Sequence, residues 1–312
     1  MNNLSNNNYL KMPILIIAFN RPTLVGKLID KLKYFKPENI YVAVDGPRER
    51  NLEDQNLCDD VKNLINKKIN WNCNLYKNYQ TNNLGTKNAV YSAIKWFFQN
   101  VEMGIILEDD IDPDISFFKF SEILLNKYKL NEKIKMISGN NYFNNNDLVK
   151  SSYYFCQSPG THGWATWRRT WNDLDIEMSD WNKNRNFFSM YSFFGFNLSR
   201  IHYFFKRFDL SHKKLIDSWD YQFFYSIVKK RGLIIKPAKN LCKHIGWGPD
   251  ATRGKGKDTF PDIKSEKINF PLIHPNKIII NKKLDIMEDK IVRKLNFFNY
   301  FYSLIKKKLF KK

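Results

Sequence analysis

The chain has 312 residues, 43% hydrophobic and 16% aromatic, with a formal net charge of +20. That length allows one large core or two smaller ones, and the charge favours anionic partners such as nucleic acid, anionic lipid or sugar nucleotides. It also argues against several other classes: no apolar run is long enough to cross a bilayer, the start MNNLSNNNYLKM lacks the apolar core of a signal peptide, and the four cysteines (58, 73, 156, 242) fall at no metal-ligand spacing and read as reduced, cytosolic thiols.

Residues 1–12 are Asn-rich with little to bury and are expected to be disordered. PILIIAF from Pro13 predicts a central strand, ending at Asn20-Arg21-Pro22-Thr23, where proline in the first turn starts a helix through Leu24, Leu28, Ile29 and Leu32. A second strand, Asn39 to Val44, stops at Asp45-Gly46-Pro47. Leu57, Val61, Leu64 and Ile65 mark the next helix, and Asn74-Leu75-Tyr76 a weak third strand. Asn83-Leu84-Gly85-Thr86-Lys87 opens a helix with Val90, Ile94, Phe97 and Phe98 on one side.

Then comes MGIILEDDIDPDISFF, Met103 to Phe118, in which a short apolar run breaks into Glu108-Asp109-Asp110. Three carboxylates at a strand end repel one another unless a cation sits among them, and a hard divalent ion that also holds a substrate phosphate is one solution. The plain alternative is that the three acids are solvated and Asp112 and Asp114 cap the next helix, expected from about Ser116 to Tyr128. Ile134 to Ser138 is a further strand. The alternation of strand and helix predicts βαβ units on a mostly parallel sheet, with Arg21, Asp45 and the acids at 108–110 all on its carboxyl side.

From about Asn140 the rhythm stops. Residues 141–275 are aromatic-rich, with Trp164, Trp167, Trp171, Trp181 and Trp219 available for sugar stacking or for plain core packing. Leu215 to Val228 predicts a helix and Ile234-Ile235 a short strand. The Gly- and Lys-rich stretch 246–260 predicts a mobile cationic loop suited to closing over phosphates, or a surface loop with no role. From Leu284, the residues Met287, Ile291, Leu295, Phe298, Tyr302, Ile305 and Leu309 recur at steps of three and four, with lysines largely off that line. Residues 276–312 therefore read as a basic amphipathic tail lying on an anionic membrane surface, with packing on the domain or a dimer seam as alternatives.

PILIIAFNRPTLVGKLIDKL, YVAVDG, IILEDDIDPDISFFKF and MISGNN, in that order, resemble the nucleotide-diphospho-sugar transferases of the GT-A fold, the N-acetylglucosaminyltransferase I type and bacterial surface-polysaccharide enzymes among them. The resemblance spans roughly 13–255. It implies a Rossmann-like α/β fold with a nucleotide-sugar half over 13–140 and an acceptor half over 141–275. It also implies donor contacts from Arg21 to diphosphate, Asp45 to the nucleobase, and Lys87, Glu108, Asp109 and Asp110, with Asp110 binding Mn²⁺ or Mg²⁺. Ser218-Trp219-Asp220-Tyr221 is similar to the segment carrying the catalytic base, which implies Asp220, with Asp180 and Asp175 as alternatives. His244 would be a second metal ligand or a structural histidine, and 246–260 resembles the loop that orders over bound donor.

The expected function is therefore an inverting, metal-dependent glycosyltransferase acting on a bacterial surface glycan or glycolipid at the inner face of the cytoplasmic membrane, with no nucleic acid as partner. The rival within this fold is a catalytically inactive carbohydrate- or nucleotide-binding scaffold. A nucleic-acid-binding protein, prompted by the charge, lacks a recognised motif. A nucleotidyltransferase lacks the Gly-rich signature after the first strand.

Overall fold

The computed structural model describes residues 10–143, 148–246 and 263–295. In chain order the first half gives β1 (Ile14–Ala18), α1 (Pro22–Leu32), β2 (Asn39–Val44), α2 (Leu52–Lys68), β3 (Asn74–Tyr79), α3 (Gly85–Asn100), β4 (Met103–Glu108), β5 (Ile111–Pro113), α4 (Ser116–Lys127) and β6 (Ile134–Ser138). The second half gives β7 (Tyr153–Cys156), β8 (Trp164–Trp167), α5 (Arg168–Trp171), α6 (Trp181–Asn184), α7 (Phe187–Phe194), α8 (Leu198–His212), α9 (Asp220–Lys229), β9 (Leu233–Pro237), β10 (Cys242–His244) and α10 (Lys282–Val292).

One eight-stranded sheet, in the order β3-β2-β1-β4-β8-β6-β9-β7, forms the middle layer. β1 pairs in parallel with β2 and β4, and β6 with β9, while β8 and β7 run antiparallel to their neighbours. β1 is buried at every position, because helices cover both faces of the sheet. Its alternation sorts the core: Ile14, Ile16 and Ala18 pack with α1, α2 and α4, whereas Leu15 and Ile17 pack with α3 and the helices of the second half. The two halves expected from sequence share this sheet, since β8 inserts between β4 and β6.

The expected tail at 1–12 is corrected at its inner end. Leu10 and Met12 are buried, and Leu10 exchanges backbone hydrogen bonds with Phe35 and Glu38. Two apolar side chains one residue apart suffice to pin this stretch, which the Asn-rich composition obscured. Residues 1–9 lie outside the described residues.

The tail expected from 276 onward is corrected over its first part, which packs on the body. Asn281 caps α10 by accepting from the Leu284 N–H. Leu284 is buried, Met287 half-buried, and the helix turns its acids inward. Glu288 meets Lys236 at 2.6 Å with both side chains excluded from water, and Asp285 and Asp289 lie 3.5 and 3.6 Å from Arg200. Apolar spacing could not reveal this, because the acids at 285, 288 and 289 turn in beside Leu284 while Ile286 and Ile291 stay exposed. The part of the predicted tail from 296 to 312 lies outside the described residues, and no helix among them is long and apolar enough to cross a membrane.

Removing one partner of a buried ion pair leaves the other charge uncompensated. Glu288→Ala should therefore lower unfolding stability by about 3–5 kcal/mol, read from urea or guanidinium melts.

Candidate active site

Three strand ends meet at one cleft. β1 runs out to Arg21, β2 to Asp45 and β4 to Glu108-Asp109-Asp110. The chain steps from β1 outward to β2 and β3, then returns to place β4 on the other side of β1. Such a reversal opens a crevice beyond the carboxyl ends of the strands. Arg21, Asp45, Glu108, Asp109 and Asp110 all line one cavity of about 140 Å³ there, together with Arg48, Asn83 and Thr86. Lys87 is not among its lining residues; its charge acts instead on Glu177.

The Asp45 carboxylate is largely committed within the fold. Oδ1 accepts from the Gly46 and Leu84 N–H groups, each at 2.9 Å, and Oδ2 from the Asn83 amide at 3.0 Å. Burial pushes its pKa up, and the backbone donors pull it back. Asp45 thus ties the exit of β2 to the turn that opens α3. A Cβ on Gly46 would sit 2.4 Å from the backbone of Asn82, so only glycine allows that approach. Gly85 has φ +73° and nothing within 4 Å of a Cβ position. It serves the left-handed turn that opens α3.

Among the acids sits a guanidinium. Arg21 bonds Asp109 and, at 3.1 Å, Asp110. Burial pushes Glu108 up to about 8, helped by the charges of Asp110 and Asp109. Burial also pushes Asp109 up, to about 7, against the pull of Arg21. Asp110 is held down at about 2: burial works to raise it, but the hydrogen bond with His244 and the charge of Arg21 outweigh that. The solvated-acid alternative fails for the triplet, and its capping part holds for Asp114 alone. Asp114 accepts from the Ser116 N–H at the start of α4, whereas Asp112 pairs with Lys31.

β10 pairs antiparallel with β5, which sets His244 opposite Ile111 and its Nε2 3.4 Å from Asp110 Oδ2. Among the described residues, no three His, Cys, Asp or Glu side chains form a metal-binding group by themselves. The set still suits a hard divalent cation. Asp110 is ionised, His244 is beside it, and Asp109 Oδ2 is buried without a hydrogen-bond partner. Mg²⁺-type sites of this kind use one or two carboxylates and take their remaining ligands from substrate phosphate and water.

Asp54 went unread in the sequence. Only 1% exposed, it holds Arg48 and accepts from Asn20 at 2.8 Å, and both of those residues line the cavity. Its place in the polar run Glu53-Asp54-Gln55 gave no signal. What points it inward is Asn51, whose side chain caps α2 by accepting from the Glu53 and Asp54 N–H groups.

A second cavity of about 460 Å³ is lined by Asp220, Tyr221, Tyr203, Arg207, Tyr142 and His162, and by Arg293 and Lys294 just after α10. The Arg207 guanidinium stacks 5.2 Å from the Tyr203 ring centroid and 5.7 Å from that of Tyr221. The two cavities are neighbours: the His162 ring lies 4.8 Å from that of His244, and the charge of Asp220 acts on Glu108. The alternative bases are engaged elsewhere. Asp180 accepts from Tyr225 and pairs with Lys229 at 2.8 Å, and Asp175 caps a turn by accepting from Ser179 and Glu177. Trp164, Trp171 and Trp219 pack on one another and on Phe223 inside the core, so the packing reading holds for them. The stretch 247–260 of the predicted donor loop lies outside the described residues.

No family model matches the chain, and no curated protein matches it. Solved structures similar to it include a mannosyltransferase from Pyrobaculum calidifontis in complex with GDP-Man and Mn²⁺, at 12% identity and a TM-score of 0.36 over 54% of this chain and 48% of that one. The chain thus spans about half the length of that mannosyltransferase. A UDP-glucose pyrophosphorylase complexed with UDP-glucose is similar at 12% identity and a TM-score of 0.37, over 73% and 90% of the two chains. A mannose-1-phosphate geranyltransferase from Thermus thermophilus is similar at 11% identity and 0.34, over 73% of each. The first two are complexes with nucleotide sugars.

Asp54 has a depressed pKa in the fold, owing first to its bond with Arg48. Its contribution is therefore full above the unfolded value of about 4 and fades as pH falls through the lower folded value. Asp54→Asn should cost about 1–2 kcal/mol at pH 7 and progressively less below about pH 4, checked by urea melts across that range.

Proposed function

We propose that the chain is an inverting, divalent-cation-dependent glycosyltransferase that takes its sugar from a nucleoside-diphosphate donor. The observation that carries this reading is the gathering of Arg21, Asp45 and the acid triplet in one cavity, with Asp220 in the cavity next to it. The resemblance of the strand-end motifs to GT-A enzymes of the N-acetylglucosaminyltransferase I type supports it.

In this reading the donor diphosphate lies over Arg21. A guanidinium has five N–H donors, so Arg21 can hold Asp109 and Asp110 with one edge and phosphate oxygens with another. Asp110, with His244 at its side, would hold the cation. When bound, that cation neutralises charge on the leaving diphosphate. Asp45 steers the nucleobase through the lone-pair capacity left on its carboxylate. In the neighbouring cavity, Asp220 takes the proton of an acceptor hydroxyl. The hydroxyl oxygen bonds to the anomeric carbon, the bond from that carbon to the diphosphate oxygen breaks, and the nucleoside diphosphate departs on the opposite side. The tyrosine-lined walls and Arg207 suit a glycan acceptor, with apolar ring faces and polar edges.

A nucleotidyltransferase is the rival reading on a sheet of this kind. After β1, however, the chain offers Phe19-Asn20-Arg21-Pro22 and no Gly-rich loop to cradle a triphosphate. Incubation with a sugar 1-phosphate and nucleoside triphosphates separates the two, since only a nucleotidyltransferase releases pyrophosphate.

Thermal-shift screening of sugar nucleotides with Mn²⁺ should identify a donor that stabilises the wild type. Asp110→Ala should remove the Mn²⁺-dependent part of that shift and abolish metal-dependent transfer; full activity in this variant refutes the metal assignment. Asp220→Asn should keep the donor-induced shift and lower kcat by roughly 10²–10⁴-fold. If Asp180→Asn or Asp175→Asn has that effect instead, the base is misassigned.

A further inference from the structure

An exposed aromatic surface lies on α7. α7 has the sequence FFSMYSFF, so it is apolar nearly all round. Met190, Phe193 and Phe194 face the core, which leaves Phe187, Phe188 and Tyr191 outside. Phe188 is 81% exposed, and Phe196 in the turn before α8 is 79% exposed. The rings are contiguous: Phe187 lies 6.3 Å from Tyr191, and Tyr191 lies 4.5 Å from Phe196. A groove of about 510 Å³ then joins Phe196 and Leu198 to Ile286 and Lys290 on α10. Scattered exposed apolar residues need no explanation, but a connected aromatic surface marks an interaction site.

The charges around this surface indicate the occupant. The chain holds no Asp or Glu from Trp181 to Phe208, and none from Lys267 to Leu284. The two acids that line the groove, Asp285 and Asp289, are buried against Arg200 and Arg293. Lys282 and Lys290, which line the groove, are exposed, as are Lys283 on α10 and Lys183 and Arg185 just before α7 in the chain. An aromatic surface flanked by basic side chains complements the lipid–water interface of an anionic bilayer, where rings enter the headgroup region and cationic groups meet phosphates. A second copy of this chain would bring the same lysines against one another. Leu295, the last described residue of this part, also lines the groove, and the sequence beyond it adds five lysines and no acid.

We infer that α7, the turn before α8 and the outer side of α10 form a docking surface for an anionic lipid bilayer. α10 connects this surface to the proposed chemistry. Its Asp289 and Lys290 line the groove, while Val292, Arg293 and Lys294 line the cavity that holds Asp220. A docked molecule therefore opens that cavity beside the lipid headgroups, as a lipid-linked acceptor requires. This last step rests on the transferase reading; the docking itself does not.

The test is co-sedimentation of the full chain with phosphatidylcholine vesicles, with and without phosphatidylglycerol, in the absence of donor and acceptor. The wild type should bind the mixed vesicles, and hydrogen exchange over 187–198 should slow on binding. Phe188→Ser with Phe196→Ser should lower partitioning by roughly tenfold or more, with all C-terminal lysines in place and the melting temperature unchanged. Lys290→Glu should weaken binding to the mixed vesicles alone, by a smaller factor. Unchanged partitioning of the double variant would assign any membrane binding to residues 296–312 and overturn the inference. So would self-association of the wild type, without vesicle binding, that the same two substitutions abolish. Either outcome leaves the Asp110 and Asp220 experiments untouched, so docking and chemistry can fail separately.

Discussion

The contact on which the site depends is that of Arg21 with Asp109 and Asp110. It spans the ends of two adjacent parallel strands, β1 and β4, and is largely withdrawn from water. Three consecutive acids in so dry a place are mutually repulsive, and the chain answers with one guanidinium from the neighbouring strand. The answer is partial. Glu108 and Asp109 remain pushed toward neutrality, and only Asp110, with His244 beside it, is firmly ionised. A site left short of positive charge in this way favours a divalent cation, and the guanidinium keeps N–H groups for an anionic ligand. The elements around it serve this arrangement. The reversal of strand order opens the crevice, the β5–β10 pair delivers His244, and α2 sends Asp54 to brace Asn20 and Arg48 at the rim.

The second half builds the other wall by a different means. Its strands are few and short, and much of its helical packing is aromatic. Trp164, Trp171, Trp219 and Phe223 form one packed group, and Phe204, Phe208 and Phe224 another. β8 carries Trp164 into the sheet beside β4, so the aromatic group rests on the strand that ends in the acids. Asp220 begins the helix that presents Phe223 to that group and Phe224 to the other. The position of its carboxylate is thus set by core packing one turn further along, not by a loop. Asp180 and Asp175, by contrast, hold turns together.

The first half was legible because its pattern is periodic. Apolar runs ending in Arg21, Asp45 and Glu108-Asp109-Asp110 declare parallel strands and mark where their ends face, and the structure collects those residues in one cavity. Legibility failed where the meaning of a residue depends on a distant partner. Arg21 reads as a phosphate ligand, and the two acids it also holds do not show in the sequence. Asp45 reads as a nucleobase contact, and its hold on the α3 turn does not show there either. Asp54 sits in a polar run that gives no hint of burial. In the second half, β7, β8 and β10 are three or four residues long, too short for a period to show. The same limit misled the reading of α10. Its apolar spacing was visible, but Lys236 and Arg200, the partners that draw Glu288, Asp285 and Asp289 inward, stand far back in the sequence, and they decide which side turns in.

That inward-facing acidic stripe has a consequence for how the molecule is assembled. A helix held by apolar contacts alone could slide or rotate by a fraction of a turn at little cost. One held by Lys236–Glu288, Arg200–Asp285 and Arg200–Asp289 cannot, because each displacement strands a buried charge. α10 is therefore fixed in register between the groove and the cavity of Asp220. Arg293 shows the coupling most directly: it closes the ion network, stacks over Phe204 and lines that cavity. A helix that served only as an anchor would need none of this. Its charges are spent on position, which holds Arg293 and Lys294 in the wall of the cavity that Asp220 lines.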